Sequence, residues 1–478
     1  MKLLKLVDGL SCKFVNFKNV KITNLSLKAS ELEKNGLFFA INGNNHNGEN
    51  YANEAVKNGA VVVVTAKKLE LSENVVQVLV EDVRCAMAII SRNFYNRADE
   101  KLKIIQLIGT NGKTTTATIT YDILRSAGKK VGLIGTNGIK INGLNLPSFL
   151  TTPDPIDLHY VFNQMVQFGV EYCVMEVSAQ SIYYNKVDGI KPYMICYTNI
   201  TPEHLDFFGT MECYAKTKID YILSQNQAIV VTNSDDEYGR KLLQISGVKS
   251  YGLFNPSDVF AIDINMSLKN CNFVCNAFDD VFNIDSAFTG EYNVYNLLAS
   301  ITMAKSIGIS TLNIQNAIKN IKNVAGRWEV FDFKNNNKVI VDYAHTPDGF
   351  DKVLSLVKSL RKGRIIVLFG CVGYSDSLKR KQMGDVVKKY GDFAIITSDN
   401  FSDDNFDKMF NDIGINKYYA KIENRAKAVE FGINMLDKND TLILLGKGAE
   451  IIQKTTDGDI EYNELELVKN YQKRESVG

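Results

Sequence analysis

Short apolar runs, each followed by a stretch with helical spacing, recur along most of the chain. In the central part these runs lie at 104–108, 131–135, 172–177, 194–198 and 228–232. In the last third they lie at 339–343, 364–370, 393–397 and 441–446. Strands of parallel sheets are buried on both faces and therefore read as continuous apolar runs. Their alternation with helical stretches predicts an α/β protein with mostly parallel sheets covered by helices.

The pattern restarts twice along the chain, which predicts three domains. Residues 1–98 read as a small α/β unit with strands at 37–41 and 60–65. Residues 99–325 and 326–478 each carry the longer alternation, and the last unit reads as doubly wound and Rossmann-like. A chain of 478 residues agrees with about three domains of the usual size.

A glycine-bounded polar loop stands between the first predicted strand of the central unit and the helical stretch after it. The loop consists of Gly109, Thr110, Asn111, Gly112, Lys113, Thr114, Thr115 and Thr116. Glycines let the backbone approach a phosphate closely, and the backbone N–H groups and positive helix end would face that phosphate. Lys113 would reach the terminal phosphates, and the hydroxyl of Thr114 or Thr115 would bind magnesium. The central unit is therefore predicted to be P-loop ATPase-like.

This loop is shorter than a complete Walker A motif, because Leu107 stands five positions before Gly112, where that motif has glycine. An ordinary glycine turn that caps a helix is the alternative interpretation. The preceding strand, the lysine and the threonines together favour phosphate binding.

Polar residues follow the ends of several predicted strands, which is where ligands bind in open α/β sheets. In the central unit Glu176 lies near one strand end, and His204 lies in a loop after another. A carboxylate and a neutral imidazole can bind magnesium, although this hard cation prefers oxygen ligands. In the last unit polar segments follow the strands at 342–347, 370–373, 399–400 and 446–450. We expect a binding crevice there, although each side chain taken singly is more simply read as a satisfied strand-end group.

Charge and composition exclude some classes of partner. The chain has 55 Lys and Arg against 54 Asp and Glu, so it has no overall basic field for nucleic acid or an acidic membrane surface. No stretch approaches the roughly 20 apolar residues of a membrane span, and no apolar run of signal-peptide length follows the first residues. The 8 scattered cysteines read as reduced thiols. We therefore expect a cytoplasmic protein with no nucleic-acid partner and no membrane span.

A set of motifs in the central and C-terminal units points to one family. The motifs stand at 109–116, 150–154, 175–178, 199–206, 208–212, 290–296, 326–329 and 342–348. In this order they resemble the Mur ligases, and most closely the UDP-N-acetylmuramoyl-tripeptide synthetases of the MurE type. The N-terminal unit resembles the family more loosely, through 37–40 and 43–51.

The resemblance implies an ATP-dependent amide ligase of peptidoglycan precursor synthesis. ATP would phosphorylate the carboxylate of UDP-N-acetylmuramoyl-L-Ala-D-Glu, and the amino group of an incoming amino acid would attack the acyl phosphate. ATP and Mg²⁺ are the implied cofactors, and the implied partners of a monomeric enzyme are small molecules. Residues 1–98 would bind the UDP-linked substrate, 99–325 would bind ATP, and 326–478 would bind the amino acid.

The resemblance also implies roles for individual residues. The catalytic residues would be Lys113, Glu176, His204, Lys218 and His345. The nucleotide would be bound by Gly109, Thr110, Asn111, Gly112, Lys113, Thr114, Thr115, Asn293, Asn296, Arg327 and Asp342. The substrates would contact Thr151, Thr152, Ser178, Lys186, Asp399, Asn400, Gly446 and Glu450. The metal ligands would be Thr114, Glu176, His204 and Lys218, the last as a carbamate.

Departures from the family pattern lie mainly at substrate contacts. Ser375 and Ser402 stand where the family carries arginine. Loss of these planar, bidentate groups disfavours meso-diaminopimelate, which has an additional carboxylate. Asp399 and Glu450 are retained, and two carboxylates would suit a cationic side chain. We therefore expect a basic amino acid to be added, with L-lysine favoured.

Two alternatives stay open at this point. A MurE-like paralogue could ligate an amino acid to a different carboxylate in a secondary pathway, and the altered segments 28–30 and 179–180 favour that interpretation. The other alternative is a noncatalytic nucleotide-binding protein. Retention of Lys113, Glu176, Lys218 and His345 counts against it.

Overall fold

The computed structural model describes residues 1–43, 47–148, 150–322, 324–372, 377–400, 405–455 and 458–477. They form two compact units. The first unit consists of 1–108, 128–196 and 217–230, and the second consists of 109–127, 197–216 and 231–478. Both units combine helices with sheets that are mostly parallel, which confirms the predicted α/β class. Within this part of the chain, no helix combines the length and apolar composition that a bilayer crossing requires.

The elements are numbered in chain order. The described strands are β1 (Lys13–Val15), β2 (Asn24–Ser26), β3 (Gly36–Phe39), β4 (Ala60–Thr65), β5 (Val76–Leu79), β6 (Lys103–Ile108), β7 (Val131–Gly135), β8 (Gly138–Ile141), β9 (Leu144–Leu146), β10 (Tyr172–Val177), β11 (Met194–Tyr197), β12 (Ile229–Asn233), β13 (Lys249–Gly252), β14 (Val259–Met266), β15 (Cys271–Ala277), β16 (Asp280–Ser286), β17 (Glu329–Asp332), β18 (Lys338–Asp342), β19 (Ile365–Phe369), β20 (Phe393–Ile396), β21 (Tyr419–Lys421), β22 (Thr441–Leu445), β23 (Ile452–Thr455) and β24 (Gly458–Glu461). The described α-helices are α1 (Leu3–Leu6), α2 (Ala52–Lys57), α3 (Val83–Phe94), α4 (Lys113–Ser126), α5 (Pro155–Gln167), α6 (Ala179–Tyr183), α7 (Leu205–Phe208), α8 (Met211–Ser224), α9 (Glu237–Lys241), α10 (Glu291–Ser306), α11 (Thr311–Asn320), α12 (Pro347–Leu360), α13 (Ser377–Tyr390), α14 (Phe406–Ile413), α15 (Arg425–Asn434) and α16 (Glu464–Val477).

The N-terminal sheet of the first unit has the strand order β1–β5–β4–β3–β2. Only β1 runs antiparallel to its neighbour, and the other pairs are parallel. Successive side chains of β3 point to opposite faces, as the period of two in a strand requires. Leu37 and Phe39 pack in one core with Met87 of α3, whereas Phe38 packs in the other with Ala55 of α2. The predicted strands of this region are β3 and β4.

The first unit also contains the strand order β6–β10–β7–β8–β9. The strands β6, β10 and β7 are parallel, and β8 and β9 add an antiparallel edge. All six residues of β10 are buried, as its continuous apolar pattern predicts. Met175 of β10 pairs with Ile134 of β7, so Glu176 comes to lie beside Gly135 at the end of the sheet.

In the second unit, β12, β13 and β14 are parallel, and β14, β15 and β16 form an antiparallel meander. The apolar runs predict β12 but not the meander. Along β15, Phe273 and Cys275 are buried while Asn272 is exposed. Strands with one solvated face alternate in this way and leave no continuous apolar run to identify them.

The C-terminal sheet of the second unit has the order β17–β18–β22–β19–β20–β21, with β17 antiparallel and the others parallel. Its two faces pack against separate cores. Ile340 and Ile443 face the core that contains Phe350 of α12, and Val339 and Leu442 face the core on the side of α15 and α16. This is the predicted Rossmann-like arrangement. The ends of β18, β22, β19 and β20 lie along one edge of the sheet, where the polar segments follow.

Candidate active site

The loop before α4 has glycine at the two positions where no side chain fits. A methyl group on Gly109 would lie 1.9 Å from Oγ1 of Thr198. A methyl group on Gly112 would lie 2.4 Å from Oδ1 of Asn296, and Gly112 has a φ of +85°, which other residues rarely adopt. Close packing therefore requires both glycines.

A neighbouring strand end holds this loop in place. The backbone N–H of Thr110 donates to the carbonyl of Asn199 at 2.7 Å, and the N–H of Asn111 donates to Oδ1 of Asn199 at 3.0 Å. In return, Oγ1 of Thr198 donates to the carbonyl of Asn111 at 2.8 Å. The loop thus begins as a fixed turn that leads into the N-terminus of a long helix, the arrangement that suits an anion.

Lys113 folds back over its own loop. Its Nζ donates to the carbonyls of Gly109 at 2.9 Å and Thr110 at 2.7 Å. Nη2 of Arg327 lies 3.4 Å from Oγ1 of Thr114, and the guanidinium stacks over the ring of Tyr343 at 4.2 Å. Two cationic groups therefore stand at the loop, one from α4 and one from the segment before β17.

A cavity of about 520 Å³ opens beside the loop, entirely within the second unit. This volume lies in the range of small-molecule sites. Seven residues predicted to bind the nucleotide line it: Asn111, Gly112, Thr115, Asn293, Asn296, Arg327 and Asp342. The lining also contains residues to which the sequence assigned no role: Asn233, Asp235, Tyr251, Tyr292, Tyr295 and Trp328. The last three lie inside the motifs at 290–296 and 326–329, whereas Asn233, Asp235 and Tyr251 belong to none of the motifs.

The polar residues of the cavity are fixed by the protein itself. The carboxylate of Asp342 accepts the N–H of Trp328 at 2.7 Å and the N–H of Ala344 at 2.7 Å. Burial raises the pKa of Asp342, and the nearby Arg327 and these two hydrogen bonds oppose the rise. Nδ2 of Asn296 donates to Oδ1 of Asn293 at 3.0 Å. These side chains are therefore oriented before a ligand arrives.

Glu203 brings His345 and His204 together and was not singled out from the sequence. Nε2 of His345 lies 3.3 Å from Oε1 of Glu203, and Nε2 of His204 lies 3.8 Å from Oε2. The hydroxyl of Tyr214 donates to Oε2 at 3.2 Å. Burial by itself raises the pKa of Glu203, but His345, His204 and Lys113 outweigh it and hold that pKa well below its ordinary value. The one available signal was an acidic residue in a loop after a buried strand.

The first unit gathers four of the predicted residues around the end of β10. Oε1 of Glu176 accepts the N–H of Thr136 at 2.9 Å, and Oγ1 of Thr136 lies 3.1 Å from Oγ1 of Thr151. Oγ1 of Thr152 donates to the carbonyl of Glu176 at 3.0 Å and accepts the N–H of Ser178 at 3.1 Å. These contacts form one polar cluster at a strand end.

Lys186 and Lys218 are the two predicted lysines of the first unit. Lys186 pairs with Asp154 at 2.8 Å. Lys218 is only 1% exposed, so it is not the solvent-facing helix lysine that its pattern alone suggests. An ammonium group at so buried a position costs free energy unless it is compensated or chemically modified.

The predicted metal ligands offer suitable chemistry but no preformed cluster. In the part of the chain that the structure describes, no three His, Cys, Asp or Glu side chains are grouped to hold a metal ion. Thr114 and Glu176 present oxygen, the donor that magnesium prefers. Magnesium commonly takes only one or two protein ligands and completes its shell with water and substrate phosphates.

A third cluster lies at the edge of the C-terminal sheet and contains the predicted residues Asp399, Asn400 and Glu450, with Gly446 beside them. Nδ2 of Asn400 donates to Oε2 of Glu450 at 2.9 Å, and its N–H donates to Oδ1 of Asp399 at 2.8 Å. A methyl group on Gly446 would lie 2.9 Å from Oδ2 of Asp399. The buried Lys447, which was not predicted, lies in the middle of this cluster.

The positions 375 and 402, where arginine was expected from the family, lie outside the described residues.

Comparison with known proteins gives matches to three family descriptions in chain order. They are "Mur ligase family, catalytic domain" at 21–95, "Mur ligase middle domain" at 108–304 and "Mur ligase, glutamate ligase domain" at 326–448.

Two relatives match over almost the whole chain. The UDP-N-acetylmuramoyl-L-alanyl-D-glutamate–2,6-diaminopimelate ligase 1 of Clostridium acetobutylicum is 37% identical over 479 residues, covering 98% of this chain and 99% of that protein. The corresponding ligase of Caldanaerobacter subterraneus subsp. tengcongensis is 38% identical over 476 residues, covering 98% of each. A solved structure of a ligase of the same name superposes with a TM-score of 0.67 at 25% identity, covering 95% of both chains.

Proposed function

Because the chain belongs to the Mur ligase family, we propose that it adds a basic amino acid to UDP-N-acetylmuramoyl-L-Ala-D-Glu. We further propose that L-lysine is favoured over meso-diaminopimelate. The coarser function is that of an ATP-dependent ligase which joins a carboxylate to an amine in peptidoglycan precursor synthesis. The fixed phosphate loop beside a 520 Å³ cavity is the observation that carries the nucleotide half of the proposal.

The phosphoryl-transfer step uses the cations at the loop. Lys113 exchanges its two carbonyl contacts for the terminal phosphates, and Arg327 adds a second positive charge. Both groups stabilise the charge that spreads over the transferring phosphoryl group. The carboxylate oxygen forms a bond to phosphorus while the bond to ADP breaks, and the product is an acyl phosphate. Asn293, Asn296 and Asp342 hold the nucleoside half in the cavity.

Amide formation follows from the acyl phosphate. The amino group of the amino acid attacks the activated carbonyl, the tetrahedral intermediate collapses, and inorganic phosphate leaves. His345, held beside Glu203, provides a hydrogen bond near the departing phosphate. Water must be kept out during these steps, because it would hydrolyse the acyl phosphate.

Magnesium is proposed to accompany ATP and to neutralise phosphate charge when it is bound. The residues that would hold it are Thr114 through a hydroxyl oxygen, Glu176 through a carboxylate and His204 through an imidazole. Lys218 takes part only as a carbamate, because an ammonium group has no lone pair for a metal.

Each of three parts of the chain is proposed to bind a different substrate. Residues 1–98 bind the UDP group, 99–325 bind ATP and the activated carboxylate, and 326–478 bind the amino acid. The matches at 21–95, 108–304 and 326–448 support this division. We propose that the muramoyl peptide contacts Lys186 and the polar cluster at the end of β10, which consists of Thr151, Thr152, Ser178 and Glu176. These residues supply the hydroxyls and the positive charge suited to it.

The preference for a basic amino acid rests on charge. Asp399 and Glu450 bring two negative charges to the C-terminal cluster, and Lys447 brings one positive charge. One negative charge is left over, which suits a single side-chain ammonium. The sequence offers no arginine at 375 or 402 to pair with an additional carboxylate.

A second candidate adds meso-diaminopimelate to the same acceptor. The names of the Clostridium acetobutylicum and Caldanaerobacter relatives favour it, since both are called 2,6-diaminopimelate ligases. A third keeps the chemistry but replaces the acceptor, and the altered residues Lys28, Ala29 and Ser30 favour it; Lys28 forms an exposed ion pair with Glu31 at 2.7 Å.

One experiment separates these candidates. The purified protein is supplied with ATP, magnesium and UDP-N-acetylmuramoyl-L-Ala-D-Glu together with L-lysine, L-ornithine, meso-diaminopimelate or a neutral amino acid, and the products are identified by mass spectrometry. The proposal predicts the highest kcat/KM with L-lysine. A higher kcat/KM with meso-diaminopimelate would support the second candidate instead. No amide product with any amino acid contradicts ligation to this acceptor.

A further inference from the structure

Lys447 is a fully buried lysine whose ammonium group is surrounded by acceptors. Its side chain is 0% exposed. Nζ donates to Oδ1 of Asn400 at 2.6 Å, to Oε2 of Glu450 at 2.7 Å and to the carbonyl of Ile452 at 2.8 Å. Oδ1 of Asp399 lies 3.8 Å away. The three ammonium protons are therefore matched by three acceptors, and a carboxylate lies nearby.

These contacts help to fix the carboxylate of Glu450. Its Oε2 receives both Lys447 and Nδ2 of Asn400, and its Oε1 receives the hydroxyl of Tyr343 at 3.2 Å. The carboxylate is thus held by donors on both oxygens. Without the ammonium, the buried Asp399 and the 33% exposed Glu450 would be like charges in the same cluster and would repel each other.

Asn400 is positioned by the same ammonium. Its Oδ1 accepts from Nζ of Lys447 and from the N–H of Lys454 at 3.2 Å, which leaves its Nδ2 directed at Glu450. Because an amide has distinct donor and acceptor ends, a cation on Oδ1 fixes which end faces the crevice. The contact with Ile452 ties β23 to the same point.

We propose that Lys447 is a positioning residue for amino-acid binding: its ammonium fixes the orientation of Asn400 and Glu450 and sets the net charge of this subsite. Lys447 is enclosed and acts through its neighbours rather than by contact with the substrate. The inference rests on the proposed function, because it takes this cluster as the place where the incoming amino acid binds.

The test replaces the ammonium while preserving the charge sum. The double variant Lys447→Met with Glu450→Gln removes one positive and one negative charge. The subsite keeps its net charge of one negative, which Asp399 carries, and Glu450 is no longer left as a carboxylate without its ammonium partner. The single variants Lys447→Met and Glu450→Gln are made in parallel. Because Glu450 is itself proposed to contact the amino acid, only the rise in KM beyond that of Glu450→Gln is assigned to Lys447. Lys454→Met is the matched control, because Lys454 lies on the same hairpin and its side chain is exposed.

Steady-state kinetics are measured with the amino acid that the wild-type protein uses best. We expect the double variant to raise KM for the amino acid by about tenfold or more relative to Glu450→Gln, the loss typical of a charge-assisted hydrogen bond. The KM values for ATP and for the UDP-linked substrate should stay within about twofold, because a local binding contact affects its own ligand. The single variant Lys447→Met should show the same selective rise if it folds, and Lys454→Met should match the wild type.

Two results would overturn the inference. A KM for the amino acid in the double variant no higher than in Glu450→Gln would show that the orientation of Asn400 and Glu450 does not depend on the ammonium. Equal rises in all three KM values, with a lower melting temperature, would assign Lys447 a purely structural role. A wild-type protein that forms no amide with any amino acid would instead overturn the proposed function, and this inference with it.

Discussion

Nε2 of His345 lies 3.3 Å from Oε1 of Glu203, while Nδ1 of the same ring lies 3.0 Å from the carbonyl oxygen of Tyr343. A carbonyl only accepts, so Nδ1 carries a proton. On the other side Nε2 faces Glu203, whose pKa is held well below its ordinary value. The ring of His345 is therefore fixed at both of its nitrogens.

The first prediction concerns this pair. Glu203→Gln removes the carboxylate that fixes the ring of His345, and we expect kcat to fall about tenfold or more, with a similar fall for His345→Gln. Because the two groups act together, the double variant should be barely worse than either single one. Rate measurements on all four proteins give the coupling. Fully multiplicative losses would show that the residues act independently.

The second prediction concerns Lys113. Lys113→Met removes the cation that is proposed to face the terminal phosphates, and kcat should fall by about 100-fold to 1,000-fold. Loss of a transition-state contact lowers kcat and kcat/KM together. Lys381→Met, an exposed lysine on α13, is the control and should keep wild-type rates. A near wild-type kcat in Lys113→Met would show that the loop takes no part in the chemical step.

The third prediction concerns Gly112. In Gly112→Ala the new methyl group meets Oδ1 of Asn296 at 2.4 Å in a backbone conformation with φ of +85°. We expect a lower melting temperature and a smaller rise in that temperature when ADP is added, because the loop and the cavity wall are displaced together. Gly143→Ala is the control: its φ is +88°, but nothing lies within 4 Å of the added methyl group. If both variants lose the same response to ADP, backbone strain rather than the contact with Asn296 is responsible.

The fourth prediction concerns pH and His159, which lies in the first unit. Burial, with a smaller contribution from Arg92, lowers the pKa of His159 to about 3. An unfolded histidine has a pKa of about 6.5, so below that pH the unfolded chain binds more protons and stability falls as pH falls. Between pH 7 and pH 5 this lowers the free energy of unfolding by about 2 kcal/mol.

His159→Phe tests this, because its ring keeps an aromatic contact with Phe162 and does not titrate. The neighbouring Asp99, 3.9 Å from His159, has a pKa that burial raises, so its protonation opposes the loss of stability caused by the histidine. Urea unfolding at pH 7 and pH 5 is therefore measured on both proteins. We expect a smaller loss of stability in the variant on acidification. Equal losses in the two proteins would show that His159 is accessible to protons in the folded state.

Much of the fold could be predicted because buried parallel strands are continuous apolar runs. The strand over Tyr172–Val177 was predicted to the residue. The meander of β14, β15 and β16 was missed because its strands are half exposed. Exact helix ends also depend on contacts: α4 begins at Lys113, although its apolar pattern starts at Ala117.

The site was predictable to the extent that its residues form local motifs. Gly109 and Gly112 follow a strand and precede a helix, and that arrangement is visible in the sequence. Glu203 and Lys447 could not be recognised as site residues from the sequence. Their importance comes from partners far along the chain: Glu203 contacts His345, and Lys447 contacts Asn400. Long-range pairing of charges leaves no spacing pattern in a single sequence.

The central claim is that ATP activates a carboxylate by phosphorylation. The most direct measurement places ¹⁸O in the reacting carboxylate of UDP-N-acetylmuramoyl-L-Ala-D-Glu and follows the label by mass spectrometry during amide formation. Activation through an acyl phosphate transfers one labelled oxygen to inorganic phosphate and leaves the other in the new amide. Amide product accompanied by unlabelled phosphate would contradict the account.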